Sequence, residues 1–448
     1  MSKIFFIASN VAEEPYVVYP LGMGVVSNAL MNAGHEVVQY DFLERGKSLS
    51  ELLERVMKYE PDFICVSIRN IDGCDSLAPV GSWFLDNIKQ IVDTVRQVCN
   101  APMICGGPGF SIMPEKILNF IGADYGVEGE GERAICDLIS ALEHGENPPK
   151  IIDGSSFPLL GDDQASSIYL PELVNFYQAG SGIMGVQTKR GCPFKCSYCT
   201  YPLIEGRQFR PRNPIRVVDD LEKLQQAHGC NQFFFTDSVF NDKDGHYLEV
   251  VKELIRRNLG VKWGSFFSPR SADLDKLPMM LASGLSNIEL GTDGACDTTL
   301  KAMRKGFTFD DVYRFNEACV DRKIPVAHYI VFGGPDESMA TVREGIENIA
   351  TLRSCVVFSN IGLRILPGTP LQQRAIKEGL IGPKDDLLRP VYYISPMLDA
   401  AELEQELTIK FKRDITRVFP PSEGIRGMNL AKKHGLNGVI WDTLIKFD

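Results

Sequence analysis

Gly191-Cys192-Pro193-Phe194-Lys195-Cys196-Ser197-Tyr198-Cys199 places three cysteines on one short loop, spaced C-x-x-x-C-x-x-C. A cubane iron–sulfur cluster ordinarily takes four cysteine ligands. Cys192, Cys196 and Cys199 supply three, which leaves one iron open to chemistry. Zinc is the rival for clustered cysteines, but structural zinc closes four positions, commonly with two C-x-x-C-like pairs. No second pair follows here; the next cysteine is Cys230, with His228 near it, well down the chain. The compactness of the motif disfavours three core thiols brought together by chance.

The rest of the chain bounds that chemistry. A length of 448 residues exceeds one ordinary core and predicts two domains plus an appendage. Apolar content of 44% and charged content of 23% fit a soluble globular protein. A formal net charge of −11 argues against nucleic acid or an anionic membrane as partner, since both require a basic face. A local basic patch of Lys189, Arg190, Arg207, Arg210, Arg212 and Arg216 is expected near the cysteines, balancing anionic groups there. Twelve cysteines, an N-terminal apolar run too short for a signal peptide and no run of membrane-spanning length predict a reduced, cytoplasmic protein.

Over residues 1–145 short apolar runs at 4–8, 36–40, 63–67, 103–105 and 125–127 alternate with helical patterns. That alternation predicts a Rossmann-like α/β domain with a parallel sheet. Ligands of such sheets sit beyond the strand carboxyl ends, here the loops after Ser9, Ser67, Cys105 and Val127. Those loops carry Pro20-Leu21-Gly22-Met23-Gly24, Gly106-Gly107-Pro108-Gly109 and Glu128-Gly129-Glu130-Gly131-Glu132. Glycines admit a bulky ligand close to backbone, and helix starts welcome phosphate; the same residues also build ordinary turns and acidic helix starts. The dinucleotide fingerprint G-x-G-x-x-G is missing after the first strand.

Residues 146–182, with Pro148-Pro149, Ser155-Ser156 and Asp162-Asp163, read as a linker. Strand–helix alternation resumes over 183–372, with strands expected at 184–188, 232–236, 261–267, 287–291, 326–332 and 357–366. About six βα units form a partial barrel whose active mouth lies at the strand carboxyl ends. Residues 373–448 form a mostly helical extension with an aromatic tail around Trp441, expected either to cap a substrate pocket or to pack as scaffold.

The cysteine motif, following Thr188-Lys189-Arg190 and with an aromatic before its last cysteine, resembles the radical S-adenosylmethionine (SAM) superfamily. The resemblance implies a [4Fe-4S] cluster whose open iron chelates SAM and whose electron cleaves it to a 5′-deoxyadenosyl radical. It also implies that Tyr198 lies against adenine, where core packing is the plain alternative. Pro20-Leu21-Gly22-Met23-Gly24, Ile104-Cys105-Gly106-Gly107-Pro108 and Tyr125-Gly126-Val127-Glu128-Gly129-Glu130 resemble the cobalamin-binding domain found ahead of many radical SAM domains. Pro20, Leu21, Gly22, Ser67, Arg69, Asn70, Gly106, Gly107, Glu128, Gly129 and Glu130 are then the expected cobalamin contacts. The Asp-x-His-x-x-Gly motif that would supply a lower cobalt ligand is absent, and His35 reads as a helix-terminal residue. Arg69 or Asn70 is expected near the corrin, against the simpler reading of a salt bridge or amide contact; a guanidinium cannot ligate cobalt.

In the barrel the same resemblance assigns Thr236 and Asp237 to the SAM amino group, and Ser268 and Arg270 to its carboxylate or ribose. Gly333 is where backbone can approach the adenosine, and Leu366 opens the Leu366-Pro367-Gly368-Thr369-Pro370 segment, which matches the Pro-Gly-Thr of cobalamin-linked relatives. Gly291-Thr292-Asp293-Gly294 departs from the Gly-x-Glu-Ser of relatives, so a ribose role is not carried over. Polar residues also cap strand ends routinely. The implied function is a cobalamin-dependent radical SAM methyltransferase acting on an unactivated carbon of a small molecule or peptide, served by an external reductant of flavodoxin or ferredoxin type. Cyclisation, rearrangement or oxidation with the same cofactors is the second reading, and a non-catalytic cobalamin-binding sensor the third.

Overall fold

The computed structural model describes residues 1–447 except 79–81, 157 and 272. The first sheet comprises β1 (Lys3–Ala8), β2 (Glu36–Asp41), β3 (Phe63–Ser67), β4 (Met103–Gly106), β5 (Tyr125–Glu128) and β6 (Ile151–Asp153). They lie in the order β2-β1-β3-β4-β5-β6, every pair parallel. Ile4, Phe5, Phe6 and Ile7 are all buried, as an apolar run covered on both faces must be. Because β1 pairs with both β2 and β3, the strand order reverses there and opens a crevice at the carboxyl ends.

The second sheet contains β7 (Met184–Val186), β10 (Gln232–Phe235), β11 (Lys262–Phe267), β12 (Leu285–Asp293), β13 (Val326–Phe332), β14 (Cys355–Ile361) and β17 (Arg417–Val418). Its order is β17-β14-β13-β12-β11-β10-β7, again parallel, and gives an open barrel. Between its first two strands, β8 (Lys189–Arg190) and β9 (Arg210–Pro211) form a short antiparallel ribbon that brackets the cysteine loop. A pair of two-residue strands, β15 (Leu363–Arg364) and β16 (Tyr392–Tyr393), completes the set.

Several features depart from the sequence expectation. The strand expected over 357–366 breaks at Gly362, whose φ of +77° turns the chain out of the barrel and into β15. The stretch 146–182 contains β6, which extends the first sheet, and a helix at Pro171–Ser181. Within the extension expected to be helical, Arg417–Val418 adds a seventh strand beside β14. Val439 and Trp441 pack with Ala327, Val356 and Val418, at the amino ends of β13 and β14. The tail therefore plugs the barrel floor, opposite the mouth.

One buried apolar cluster runs from Phe6, Ile104 and Val127 of the first sheet through Leu173, Val174 and Tyr177 to Met184, Phe233 and Ile288 of the second. Helix Pro171–Ser181 is thus shared core, and its Tyr177 hydroxyl donates to Asp41 at 2.7 Å. Among the described residues no helix is long and apolar enough to cross a membrane.

Gly107 has φ +102°, and a Cβ there would stand 2.7 Å from the Ile68 carbonyl oxygen. Gly107→Ala should lower unfolding free energy by roughly 2–4 kcal/mol, the sum of left-handed strain and a backbone clash. Gly34 has φ +92° but faces open space; Gly34→Ala should cost only about 1 kcal/mol. Urea midpoints of the two variants check the contrast.

Candidate functional site

The cysteine loop is held by backbone. Cys192 N donates to Gly206 O at 3.0 Å, Ser197 N to Met303 O at 2.9 Å, and Leu371 N to Ser197 O at 2.8 Å. Gly191 has φ +84°, and a Cβ there would lie 2.0 Å from Gln208 O, so only glycine enters the loop this way. Burial pushes the Cys199 thiol up to about 12 and raises those of Cys192 and Cys196. Thiolates at this place therefore require a positive partner, which a metal cluster supplies. Cys196 and Cys199 line a cavity of about 230 Å³ together with Phe194, Arg207, Arg304 and Gly368. Three thiols carried on one loop, two of them at a cavity wall, fit an iron–sulfur group.

Tyr198 turns its hydroxyl to Asp293, which also pairs with Lys305; Lys305 Nζ lies 3.3 Å from the same hydroxyl. The Lys305 ammonium is held above its ordinary range by Asp293 and the loop thiols, against the cost of burial. Lys305 was invisible to sequence reasoning, for a lysine in Arg304-Lys305-Gly306 looks like any surface cation.

At the barrel mouth the expected SAM residues divide. Asp237 is buried and its carboxylate is taken up by Thr188 N at 2.7 Å, Lys189 N at 3.1 Å, Lys189 Nζ at 3.1 Å and the Thr188 hydroxyl. It braces β8 and has little capacity left for a ligand. Thr236 Oγ1, one residue earlier, is buried without a partner among the described residues, an orphaned acceptor that a ligand amino group would satisfy. Ser268 is latched to Asn241 by two hydrogen bonds of 2.9 and 2.8 Å. Arg270 lies 4.7 Å over the Phe194 ring and donates to Gly306 O at 3.2 Å, with no carboxylate partner among the described residues. Gly333 N and Gly334 N donate to buried Glu337 at 2.5 and 2.9 Å. Leu366 O accepts from Thr369, which caps helix Pro370–Lys377 against the cysteine loop.

A second cavity, about 240 Å³, occupies the crevice of the first sheet. Leu21, Gly22, Ser67, Gly106, Gly107, Gly129 and Glu130 line it, so three separate glycine-bearing loops converge. A Cβ at Gly22 would meet nothing within 4 Å, the open rim a bulky planar ligand needs. Pro20 and Glu128 adjoin lining residues in sequence but stand outside the lining itself, and Arg69 and Asn70, two and three residues beyond Ser67, are also outside it. Arg69 forms no ion pair among the described residues, and burial pulls its guanidinium downward. The glycine rim and apolar floor fit a corrinoid.

Gln187, Arg190, Ile204 and Glu205 line that same cavity from the barrel side. Arg190 Nη1 lies 3.1 Å from Glu130 and 3.2 Å from Glu132, and Nη2 is 2.5 Å from Glu132. Arg210 also pairs with Glu130, and Leu159 N donates to it at 3.1 Å. The Glu130 carboxylate is thus committed to an interdomain clamp. The basic patch expected from sequence is largely internal: Lys189 with Asp237 and Asp242, Arg212 with Asp220, Arg190 and Arg210 with Glu130. Glu205 accepts from Gly191 N at 3.1 Å, joining the cavity wall to the first residue of the cysteine loop. Nothing in the sequence around Glu205 announced this role.

The Radical SAM superfamily model matches residues 186–349, and the B12 binding domain model matches 8–139. The chain is 26% identical over 425 residues to tryptophan 2-C-methyltransferase of Streptomyces laurentii, covering 78% of this chain and 70% of that protein. It is 24% identical to anaerobic magnesium-protoporphyrin IX monomethyl ester cyclase of Rubrivivax gelatinosus, covering 72% and 60%. The fold is similar to that of the radical S-adenosylmethionine methyltransferase TsrM from Kitasatospora setae, with a TM-score of 0.83, 21% identity and coverage of 99% and 97%.

Arg190→Met should leave the buried Glu132 carboxylate without its cation, while Arg210 still holds Glu130, costing about 3–5 kcal/mol; differential scanning calorimetry and limited proteolysis at the domain boundary read it. Burial raises Glu337 to about 7. The folded state therefore keeps its proton where the unfolded chain has lost it, so stability should fall as pH rises from about 4.5 to 7 and level off above. Glu337→Gln should remove roughly 3 kcal/mol of that slope, measured by urea unfolding across the range.

Proposed function

Because this chain belongs to the cobalamin-dependent radical SAM enzymes, we propose that it transfers a methyl group to an unactivated carbon of a small molecule. The observation that carries the reading is a shared wall. Residues flanking the cysteine loop, Gln187, Arg190, Ile204 and Glu205, are also the barrel-side lining of the glycine-rimmed cavity. The two cofactor sites stand back to back. When bound, the cluster with SAM supplies one-electron chemistry and the corrinoid a transferable methyl group.

The chain's residues then have separable tasks. Cys192, Cys196 and Cys199 hold the cluster, and the Tyr198–Asp293–Lys305 group fixes the loop that carries them. Thr236 Oγ1 offers an acceptor to the nucleotide's amino group, and Arg270, with no carboxylate partner among the described residues, is the cation for its carboxylate. Asp237 and Ser268 position the strand ends beneath. Leu21, Gly22, Ser67, Gly106, Gly107 and Gly129 form the corrinoid bed, and Arg69, without an ion pair among the described residues, follows Ser67 by two residues and is unable to ligate a metal. Exposed Lys195, Arg207 and Arg304 surround the cavity at Cys196 and Cys199, which supports docking of an acidic one-electron carrier of flavodoxin or ferredoxin type. Twelve free cysteines support a reducing, cytoplasmic setting. A cyclase outcome is the second reading, favoured by the likeness to the Rubrivivax gelatinosus cyclase.

Anaerobic turnover should yield 5′-deoxyadenosine or methylated corrinoid and a product heavier by one CH₂; a product lighter by two hydrogens would select the second reading. Cys196→Ala should lose cluster absorbance and iron while retaining the corrinoid spectrum, since its loop and the glycine rim are built from different segments.

A further inference from the structure

The barrel's inward faces are less fully buried than its outward faces, although the tail cluster packs against Tyr329 and Phe358. On β11, Trp263 and Ser265 have no exposure and Phe267 only 2%, yet Phe266 between them is 38% exposed. β13 and β14 repeat the alternation: Tyr329 and Val331, Phe358 and Asn360 are half-buried, and their neighbours are buried. Helices cover the outer set, so the half-buried set faces the lumen above the plugged floor. A barrel packed with its own side chains would bury both.

That lumen is walled by rings. Phe234 and Phe266 lie 5.1 Å apart, Phe266 and Tyr329 6.4 Å, and Tyr329 stacks on Phe358 at 5.4 Å and 17°. Into this wall the sequence sets one carboxylate. Glu289 pairs in register with Phe266 on one side and Ala327 on the other. It is 9% exposed and accepts the Tyr329 hydroxyl at 3.0 Å. Among the described residues no lysine, arginine or histidine forms an ion pair with it. Burial pushes the carboxyl up to about 7, and the Tyr329 hydroxyl draws it down. A nearly buried carboxylate without a cation is costly unless something positive completes it, and aromatic faces attract the same cations.

We propose that the lumen takes a substrate of the aromatic amine class, its ring against Phe266 and Tyr329 and its protonated nitrogen on Glu289. The assignment of the lumen as substrate cleft rests on the methyl-transfer reading. Binding, however, can be measured without turnover. Tryptamine and indole-3-propionate share a ring and carry opposite charges. Titrated calorimetrically into the full cofactor-loaded chain above neutral pH, tryptamine should bind at least about tenfold more tightly. Glu289→Gln keeps size and the Tyr329 contact and should abolish that preference, with cluster and corrinoid absorbance retained. Phe266→Leu should weaken both probes. No measurable tryptamine binding, a preference for the propionate, or an unchanged preference in Glu289→Gln would overturn the proposal. Charge preference through Glu289 without any methylated product would sink the transfer reading alone; methylation without charge preference would sink only this one.

Discussion

Arg190 carries a permanent charge into the boundary between two sheets, and Glu130 and Glu132 reach across to neutralise it. Desolvating three charges is expensive, and the geometry recovers the cost because Glu132 takes two guanidinium hydrogen bonds, Glu130 has Arg210 and Leu159 N as further donors, and the guanidinium is nearly fully enclosed. The pair is therefore weak as a source of stability and strong as a specification of register. Arg190 directly precedes Gly191, whose left-handed backbone starts the cysteine loop, and Glu130 ends a loop of the glycine-rimmed crevice. Fixing one residue fixes both sites.

The same economy governs the barrel. Parallel strands place alternate residues outward under helices and inward toward the lumen, so one sequence period serves stability and recognition together. Trp263 and Phe267 anchor β11 to its helices, and Phe266 is left available between them. At the strand ends the roles separate again. Asp237 is consumed in bracing the ribbon, and Thr236, adjacent to it, keeps an unsatisfied oxygen.

The cysteine spacing and the alternation of apolar runs were legible because each is a local property of the chain. Both sheets, and the convergence of Leu21, Ser67, Gly106 and Gly129 on one crevice, follow from the rule that ligands sit at strand carboxyl ends. Roles decided by long-range pairing were not legible. Glu130 reads as a ligand contact until Arg190, sixty residues away in sequence, is seen to occupy it. Lys305, Glu205 and Glu289 have neighbours in space that no spacing rule brings together. Strand β17 was missed because two residues pair only when β14 is already in place, and the break at Gly362 needs a dihedral angle that composition does not display.

The core that runs unbroken from Phe6 to Ile288 bears on motion as well as on stability. Two bodies that share helix Pro171–Ser181 and a desolvated ion cluster cannot hinge without exposing apolar surface and stranding charge. The spacing between the glycine-rimmed cavity and the cysteine loop is accordingly a fixed gauge, set by the short stretch of backbone from Arg190 to Cys192. Traffic of molecules in and out must be managed by small movements of side chains and loops at the rim, with the frame itself standing still.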